Sequence, residues 1–483
     1  MLYNERPFLF GTFLPALRPA VFLMLLVRLI LSASLLATTA ASSAMTFDEA
    51  RALFHERSDL LRADAAEVER AKAAAEGAKS LSGPQVDITV MHLEGKKDLE
   101  IDTPSSLRAL GGALGQATGG RLNLSVPSTL GTELDLGGPR AVLQATLPIY
   151  TGGRISAQQN VMQHKVRESE AARSERLETK DAELAQRYWG VQLARSVAAL
   201  RQARVADEVD AVRRARRFEA KGLVSGLERM SVEVSRDAAR REAAAAETDR
   251  QVAEAEFMSQ LREAKVPELT TPLFVLKGDL GTLSDWQKKA KLNAPLLWKA
   301  DAQIRQAREG VRAAEGAFHP QVFAFGTKNL IKHYLSPVEP DWMAGIGVKF
   351  TLWDRQDRLS EVSAAKLQVQ RAEAGRAEAD HQLMTAVEVA FLRTTQAREQ
   401  YDLTASTVAL AAENLRLREK SFGEGLSTAL DVSEARTQLV GAEIAQRAAA
   451  YQFVVAWVML HAASGSMQTF SETLTRPDLV AVQ

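Results

Sequence analysis

Side chains able to carry out chemistry are few and scattered in this sequence. The chain has no cysteine, which excludes disulfides, thiol nucleophiles, cysteine-ligated metal sites and a lipid anchor on cysteine. Its 7 histidines are far apart, and the motifs of zinc proteases, serine hydrolases and phosphate-binding loops are missing. Glu76-Gly77-Ala78-Lys79-Ser80 resembles a phosphate loop only superficially. We therefore expect no enzyme activity, no cofactor and no metal site.

The sharpest candidates for a functional site are two carboxylates near the carboxyl terminus. Asp431 and Glu434 are three residues apart, which places both side chains on one face of a helix. They directly follow Gly425-Leu426-Ser427-Thr428, a sequence typical of a helix stop and a new helix start. A solvated helix surface would give the same pattern, so the two residues alone leave both interpretations open.

The amino terminus predicts export from the cytoplasm. Arg6, Arg18 and Arg28 precede an apolar run at residues 29–37, and small residues end it at Ala44. We predict a signal peptide over residues 1–44, with translation starting at Met1 or Met24; a membrane anchor over residues 20–40 is the alternative. The chain has 60 basic and 60 acidic residues, and this zero net charge argues against sequence-independent binding of nucleic acid.

The rest of the chain consists of two sequence repeats of one structural unit. Residues 141–150 resemble residues 344–353, and Gly222-Leu223 resembles Gly425-Leu426; in both pairs the residue numbers differ by 203. Upstream the difference is 236, since residues 84–86 resemble residues 320–322. We predict a first repeat at 45–265, a linker at 266–282, a second repeat at 283–465 and a tail at 466–483. The extra residues of the first repeat, roughly 91–140, are rich in glycine, and we expect no compact fold there.

Each repeat reads as a helix, two strands separated by a loop, and two long helices. Strands are expected near 85–92, 141–150, 321–328 and 344–353, and long helices at 155–221, 226–262, 358–422 and 429–464. The second strands alternate, with Leu143, Ala145 and Leu147 on one face and Gln144 and Thr146 on the other. That pattern is typical of a transmembrane barrel strand, and equally of an antiparallel sheet with one wet face. Four strands are too few to close a barrel, so a channel would need several copies of the chain.

Two windows without proline, 149–266 and 341–476, allow very long helices. From residue 155 to residue 221 a helix would span roughly 100 Å, at 1.5 Å per residue. Such helices would suit the wall of a hollow cylinder, or an extended coiled coil.

Four features together resemble the TolC family of outer-membrane efflux proteins. They are the duplicated unit, the strand end Pro148–Arg154, the two glycine-leucine turns and the stretch from Gly425 to Val432. The resemblance implies a mostly α chain with a transmembrane β-barrel contribution: a homotrimer with a 12-stranded barrel, four strands per protomer, and a long periplasmic α-helical tunnel. It also implies a passive exit duct of an efflux or type I secretion system, with a periplasmic adaptor and an inner-membrane pump as partners. A periplasmic coiled-coil structural or adaptor protein is the alternative.

The resemblance also assigns residues. Asp431 and Glu434 match an acidic ring at the periplasmic entrance, whose crowded carboxylates would raise some pKa values and attract cations. The turns resemble the tips that meet the adaptor; they comprise Gly222, Leu223, Val224 and Ser225, and Gly425, Leu426, Ser427 and Thr428.

At one point the sequence departs from the family. A well-known member closes its entrance with a tyrosine and an arginine on the second turn, bonded to an acid after the first. Glu228 keeps the acid, but Phe422 lacks the hydroxyl and Ser427 replaces the arginine. We therefore expect a differently bonded or leakier resting state.

Overall fold

The computed structural model describes residues 44–121, 125–135, 137–265, 267–335, 339–352 and 357–482. Of the predicted signal peptide only Ala44 lies within this part, and Trp353, expected to end a strand, lies outside it. The described part is mostly helical. Its α-helices are α1 (Phe47–Arg57), α2 (Asp59–Lys79), α3 (Ser105–Ala117), α4 (Arg154–Glu219), α5 (Gly226–Leu261), α6 (Leu283–Asn293), α7 (Pro295–Glu315), α8 (Arg358–Gly423), α9 (Ala429–Ala463) and α10 (Phe470–Thr473).

Helices α4 and α8 dominate the molecule. Each contains 66 residues, which corresponds to roughly 100 Å. Each folds back through a short turn into α5 or α9, so two long antiparallel hairpins lie side by side. Within the described residues, no helix is both long and apolar enough to span a membrane.

The strands follow the same duplication. They are β1 (Gln85–Leu93), β2 (Lys96–Asp102), β3 (Thr129–Asp135), β4 (Gly138–Tyr150), β5 (Leu273–Leu276), β6 (Gln321–Asn329), β7 (Trp342–Lys349) and β8 (Leu479–Val482). The main sheet is antiparallel with the order β1-β4-β6-β7. Its central pair, β4 with β6, joins the two repeats, and within the described chain β1 and β7 are its edges.

One face of this sheet is apolar over most of its four strands, with Lys328 of β6, which pairs with Leu143 and Trp342, as an exception. The register aligns Ile88 with Leu143, and Ala324 lies between Leu147 and Ile346. Phe323 and Phe325 project from the opposite face, where they cover glycines of β7: a Cβ on Gly347 would lie only 2.6 Å from the Phe323 ring. The phenylalanines therefore do not interrupt the apolar face.

Two expectations about loops were wrong. The described residues of the glycine-rich insertion form regular structure, because β2 pairs with β3 and α3 lies between them in sequence. The segment expected to be a linker contains β5, a fully buried Leu-Phe-Val-Leu strand that pairs with β8 of the tail. Partners about 200 residues apart leave no local sequence pattern, which is why the pairing was missed.

The main core surrounds β5 and the middle of α4. Trp189 is fully buried, its ring lies 4.7 Å from that of Phe47, and its indole N–H donates to the Pro272 carbonyl at 3.0 Å. Titratable groups at this core lose solvent: burial lowers the pKa of His461 to about 4 and raises the pKa of Glu178 to about 7.

Candidate functional site

The two turns at the far end of the long hairpins share one backbone design. Gly222 and Gly425 have left-handed φ values of 70° and 78°. The next residue in each turn donates its N–H back across the helix end, Leu223 to Phe218 at 2.9 Å and Leu426 to Ser421 at 2.8 Å. This is the Schellman arrangement, which satisfies the last helix carbonyls. Both leucine side chains are left strongly exposed.

Each turn then starts the returning helix with a hydroxyl cap. Ser225 accepts the N–H of Glu228 at 3.1 Å, and Thr428 accepts the N–H of Asp431 at 3.1 Å. The capping positions are therefore equivalent, and each places a carboxylate three residues into its helix. Val224 lies between these features in the first turn and is half-buried.

Asp431 turns its carboxylate back onto its own cap. Its Oδ2 accepts the Thr428 N–H at 2.8 Å and the Ser427 hydroxyl at 2.9 Å. The Thr428 N–H, with the hydroxyls of Thr428 and Ser427, holds the pKa of Asp431 below its ordinary value. Ser427 thus binds the nearby acid, instead of the acid after the first turn.

Glu434 lies one turn further along α9 and is exposed. Over the described ranges, its side chain makes neither a hydrogen bond nor an ion pair, so its carboxylate is free to face solvent or a neighbouring molecule.

Glu228 connects the two turns. Its Oε1 accepts the backbone N–H of Ala429, the first residue of α9, at 3.1 Å. A carboxylate at a helix amino terminus is favoured because the N–H groups there lack partners within the helix. The acid after the first turn therefore binds the second turn through the main chain, which needs neither a tyrosine nor an arginine.

Phe422 contributes an apolar contact between the hairpins. Its ring lies 6.2 Å from that of Phe218, the equivalent region of the first hairpin, at an interplanar angle of 48°. Phe422 also lines a cavity of about 330 Å³ below the turns, together with Arg214, Glu419 and Arg436.

A polar seam that sequence reasoning missed borders this cavity. Glu208 of α4 is fully buried and accepts the hydroxyl of Ser433 of α9 at 2.7 Å. The buried Arg436 donates to Glu419 at 2.6 Å and lies 3.6 Å from Asp207. The available signal was a charged residue at 208 on the same helix face as Val205 and Val212.

The described residues contain no group of three or more acidic or histidine side chains able to hold a metal ion. What the turns offer is contact between hairpins, exposed leucines and two carboxylates.

Comparison with known proteins gives matches in sequence and in fold. The sequence model of a family described as outer membrane efflux protein matches residues 286–466, which include the second turn. Among curated proteins, none matches the chain.

Several solved structures are similar to the whole fold. A membrane protein from Pseudomonas aeruginosa is 16% identical with a TM-score of 0.69, over 87% of this chain and 93% of that chain. VceC, an outer membrane protein of Vibrio cholerae, is 13% identical with a TM-score of 0.68, over 87% of this chain and 96% of that chain. The MtrE outer membrane channel of Neisseria gonorrhoeae is 18% identical with a TM-score of 0.66, over 87% and 89%.

At such identities the solved structures establish the fold alone, and the similarity in sequence to the family is limited to residues 286–466. Their fold includes the first repeat as well, which the family model does not reach. Residues 286–466 are thus similar to the family described as outer membrane efflux protein, and the fold of the chain is that of the solved structures named above.

Proposed function

We propose that this protein is the outer-membrane channel of an efflux or type I secretion system. Three copies assemble, and their four-stranded sheets together form a 12-stranded barrel while their long hairpins form a periplasmic tunnel. Substrate handed over by a pump and its adaptor passes through without chemistry. Relatives named as outer membrane channels support this proposal.

The main sheet is the observation that carries it. Val86, Ile88 and Val90 of β1, and Ile346 and Val348 of β7, are exposed on the apolar face. An apolar face open to water is costly, and unpaired strand edges invite pairing, so this sheet fits a lipid environment and neighbours at both edges. The alternative, a periplasmic coiled-coil structural or adaptor protein, accounts for the helices but does not explain this sheet or the duplication.

Current recordings across planar lipid bilayers test the channel. We expect long-lived openings that prefer cations over anions. Folded trimers that insert into the bilayer and never conduct would refute the proposal.

The turns are proposed as the periplasmic gate, with Asp431 and Glu434 as its acidic ring. In a trimer the two residues supply six carboxylates around one axis, a concentration of negative charge that attracts cations. Replacing both by alanine should weaken block by a trivalent cation at least tenfold. Glu413→Ala, which removes an exposed acid of α8 away from the turn, is the matched control and should leave block unchanged. Equal block in all three proteins would exclude the ring.

The exposed leucines of the turns are proposed as the adaptor contact. Leu223 is 68% exposed and Leu426 is 79% exposed, and each stands on a rigid Schellman turn. Leu223→Ser with Leu426→Ser should abolish copurification with the adaptor while single-channel conductance stays intact. Retained copurification would place the contact elsewhere.

We further propose that the mature chain begins after cleavage at Ala44. Met45 already belongs to the fold, since its N–H donates to Glu268 at 2.7 Å and its carbonyl accepts the Tyr188 hydroxyl at 2.8 Å. Amino-terminal sequencing of protein from the outer membrane should start at Met45; a start within residues 1–40 would contradict the cleavage.

A further inference from the structure

Two acids of the first hairpin bind the first turns of α9. Glu228 accepts the N–H of Ala429, and Glu208 accepts the hydroxyl of Ser433. Ala429 and Ser433 are four residues apart, so they lie on the same face of α9, one turn from each other. The two acids differ in their surroundings, because Glu228 is half-buried whereas Glu208 is fully buried. One end of α9 is therefore held by one acid close to solvent and by another that is shielded from it.

The carboxylate of Glu208 has few partners for a buried charge. Its Oε1 accepts the Ser433 hydroxyl at 2.7 Å, but its Oε2 is buried and has no hydrogen-bond partner among the described residues. The arginines one turn away bind other acids: Arg204 of α4 donates to Glu242 at 2.6 Å, and Arg436 of α9 donates to an acid of α8. Within the described ranges Glu208 thus has one hydrogen bond and no ion pair.

Such a carboxylate destabilises the arrangement that buries it. In water both of its oxygens accept several hydrogen bonds, and a buried charge that loses them needs a cation or other donors in their place. The hydroxyl of Ser433 replaces only part of what Glu208 has lost. The packing of α9 on α4 therefore buries a group that gains hydrogen bonds when α9 moves away.

Space for water already exists next to this group. The cavity of about 330 Å³ below the turns is lined by Ser433 and Val432 of α9 and by Ala211 of α4, which is one helical turn from Glu208. A polar cavity of this size has room for several water molecules. A displacement of the α9 end that breaks the contact between Glu228 and Ala429 also moves Ser433, and water can then reach the buried carboxylate.

We propose that Glu208 disfavours the closed gate and thereby sets how readily the channel opens. The contact between Glu228 and Ala429 holds the start of α9 against the first hairpin, and the dehydrated carboxylate of Glu208, one turn further along α9, opposes it. Glu208 acts through the position of α9 and does not touch the cargo, so it is a positioning residue. This inference rests on the gate proposed above and names a residue that weakens the closed state.

The competing explanation is a structural bond that only fixes α4 against α9. In that case loss of either partner loosens the seam, and changes of Glu208 and of Ser433 shift the gate in the same direction, towards the open state. The proposed role makes them act in opposite directions. A neutral side chain at position 208 removes most of the cost of dehydration, whereas loss of the Ser433 hydroxyl increases it.

Single-channel recording of the whole protein in lipid bilayers tests the direction. Glu208→Gln keeps the size of the side chain and an oxygen that accepts from Ser433, but it carries no charge. We expect the fraction of time spent open to fall by about tenfold, and to rise by about tenfold in Ser433→Ala, whose carboxylate has no partner left. Glu413→Gln, the same change at an exposed acid of α8, is the matched control and should leave the open fraction unaltered.

A double variant tests whether the two residues act together. If Ser433→Ala opens the channel through the charge of Glu208, it should have a much smaller effect when Glu208→Gln is also present. Equal effects of Ser433→Ala in both backgrounds would show that the hydroxyl acts independently of Glu208, and would reject the inference.

The remaining outcomes separate this inference from the channel itself. A raised or unchanged open fraction in Glu208→Gln rejects the role of Glu208 while the channel stands. Should Glu208→Gln not assemble, Ser433→Ala decides alone, and an open fraction that falls or stays the same rejects the role. Folded trimers that insert into the bilayer and never conduct, the wild type included, reject both the channel and this role.

Discussion

The core around Trp189 and the end that carries the two turns are stabilised by different means. The core is built from fully buried aromatic side chains, including Tyr188, Phe257 and Phe453. At the turn end, the rings of Phe218 and Phe422 are both half-buried, and the helix caps of the two turns are hydrogen bonds between exposed groups. Buried aromatic area stabilises a fold by several kcal/mol, whereas exposed hydrogen bonds and ion pairs contribute about 1 kcal/mol or less. One end is thus suited to hold the chain together and the other to change its contacts.

The carboxylates of the two regions differ in the same way. Glu178, beside the core, accepts the Met467 N–H at 2.9 Å, yet burial still raises its pKa. Asp431, at the second turn, has a lowered pKa because its partners donate to it in water. Opposite shifts of the pKa in one chain mean opposite responses to pH.

Truncation of the core aromatic should have the largest effect. Trp189→Ala removes a fully buried ring and should lower the free energy of unfolding by about 4 kcal/mol. Phe422→Ala at the turn end should cost less than about 1.5 kcal/mol, because its ring is half-buried. Thermal unfolding followed by circular dichroism compares the two; equal losses would remove the distinction between the regions.

The response to pH comes next in size. At pH values between 4.5, the ordinary pKa of glutamate, and about 7, the raised pKa of Glu178, the folded chain retains a proton on Glu178 that the unfolded chain has released. Stability should therefore fall as pH rises through this window, by about 3 kcal/mol at most, and stay level above it. Glu178→Gln should abolish the fall in unfolding titrations at successive pH values, and a slope that survives this change would assign it to another group.

The contribution of Asp431 to stability depends on pH in the opposite direction. Its stabilisation is present above the ordinary aspartate pKa and is lost as pH falls through the lowered value. Asp431→Asn should therefore lower the free energy of unfolding at neutral pH but leave it unaltered in strong acid, as unfolding titrations at both pH values would show.

Glycine replacement at the turns should have a smaller and matched effect. A Cβ on Gly222 or Gly425 would meet no atom within 4 Å, so alanine costs only the left-handed conformation, roughly 1–2 kcal/mol at each turn. Asparagine tolerates this conformation and should recover part of the loss. Unfolding measurements that give unequal losses for Gly222→Ala and Gly425→Ala would show that the turns are not equivalent.

The sequence was most informative where local chemistry decides the structure. Glycine followed by a serine or threonine cap marked both turns, because a left-handed residue and a hydroxyl acceptor are needed at those places. The missing prolines allowed α4 and α8 to continue for 66 residues. The period of two in β4 placed Leu143 and Leu147 on one face.

What could not be predicted depends on partners distant in the chain. β5 needed β8, and the buried Glu208 needed Ser433, 225 residues away. Nor does the sequence show from which donor a carboxylate accepts a hydrogen bond. Glu228 accepts the N–H of Ala429, whereas Asp431, whose side chain is one methylene shorter, accepts the N–H of Thr428 at its own helix cap.

The contact between Glu228 and Ala429 is the link that we expect to hold the gate closed, and single-channel recording of Glu228→Ala beside the wild type tests it most directly. We predict a conductance several-fold above that of the wild type at the same voltage, with Glu228→Asp shifted in the same direction because its side chain is too short to reach Ala429. Traces of Glu228→Ala that are indistinguishable from the wild type in intact trimers would contradict the gate, and silence of both proteins would contradict the channel.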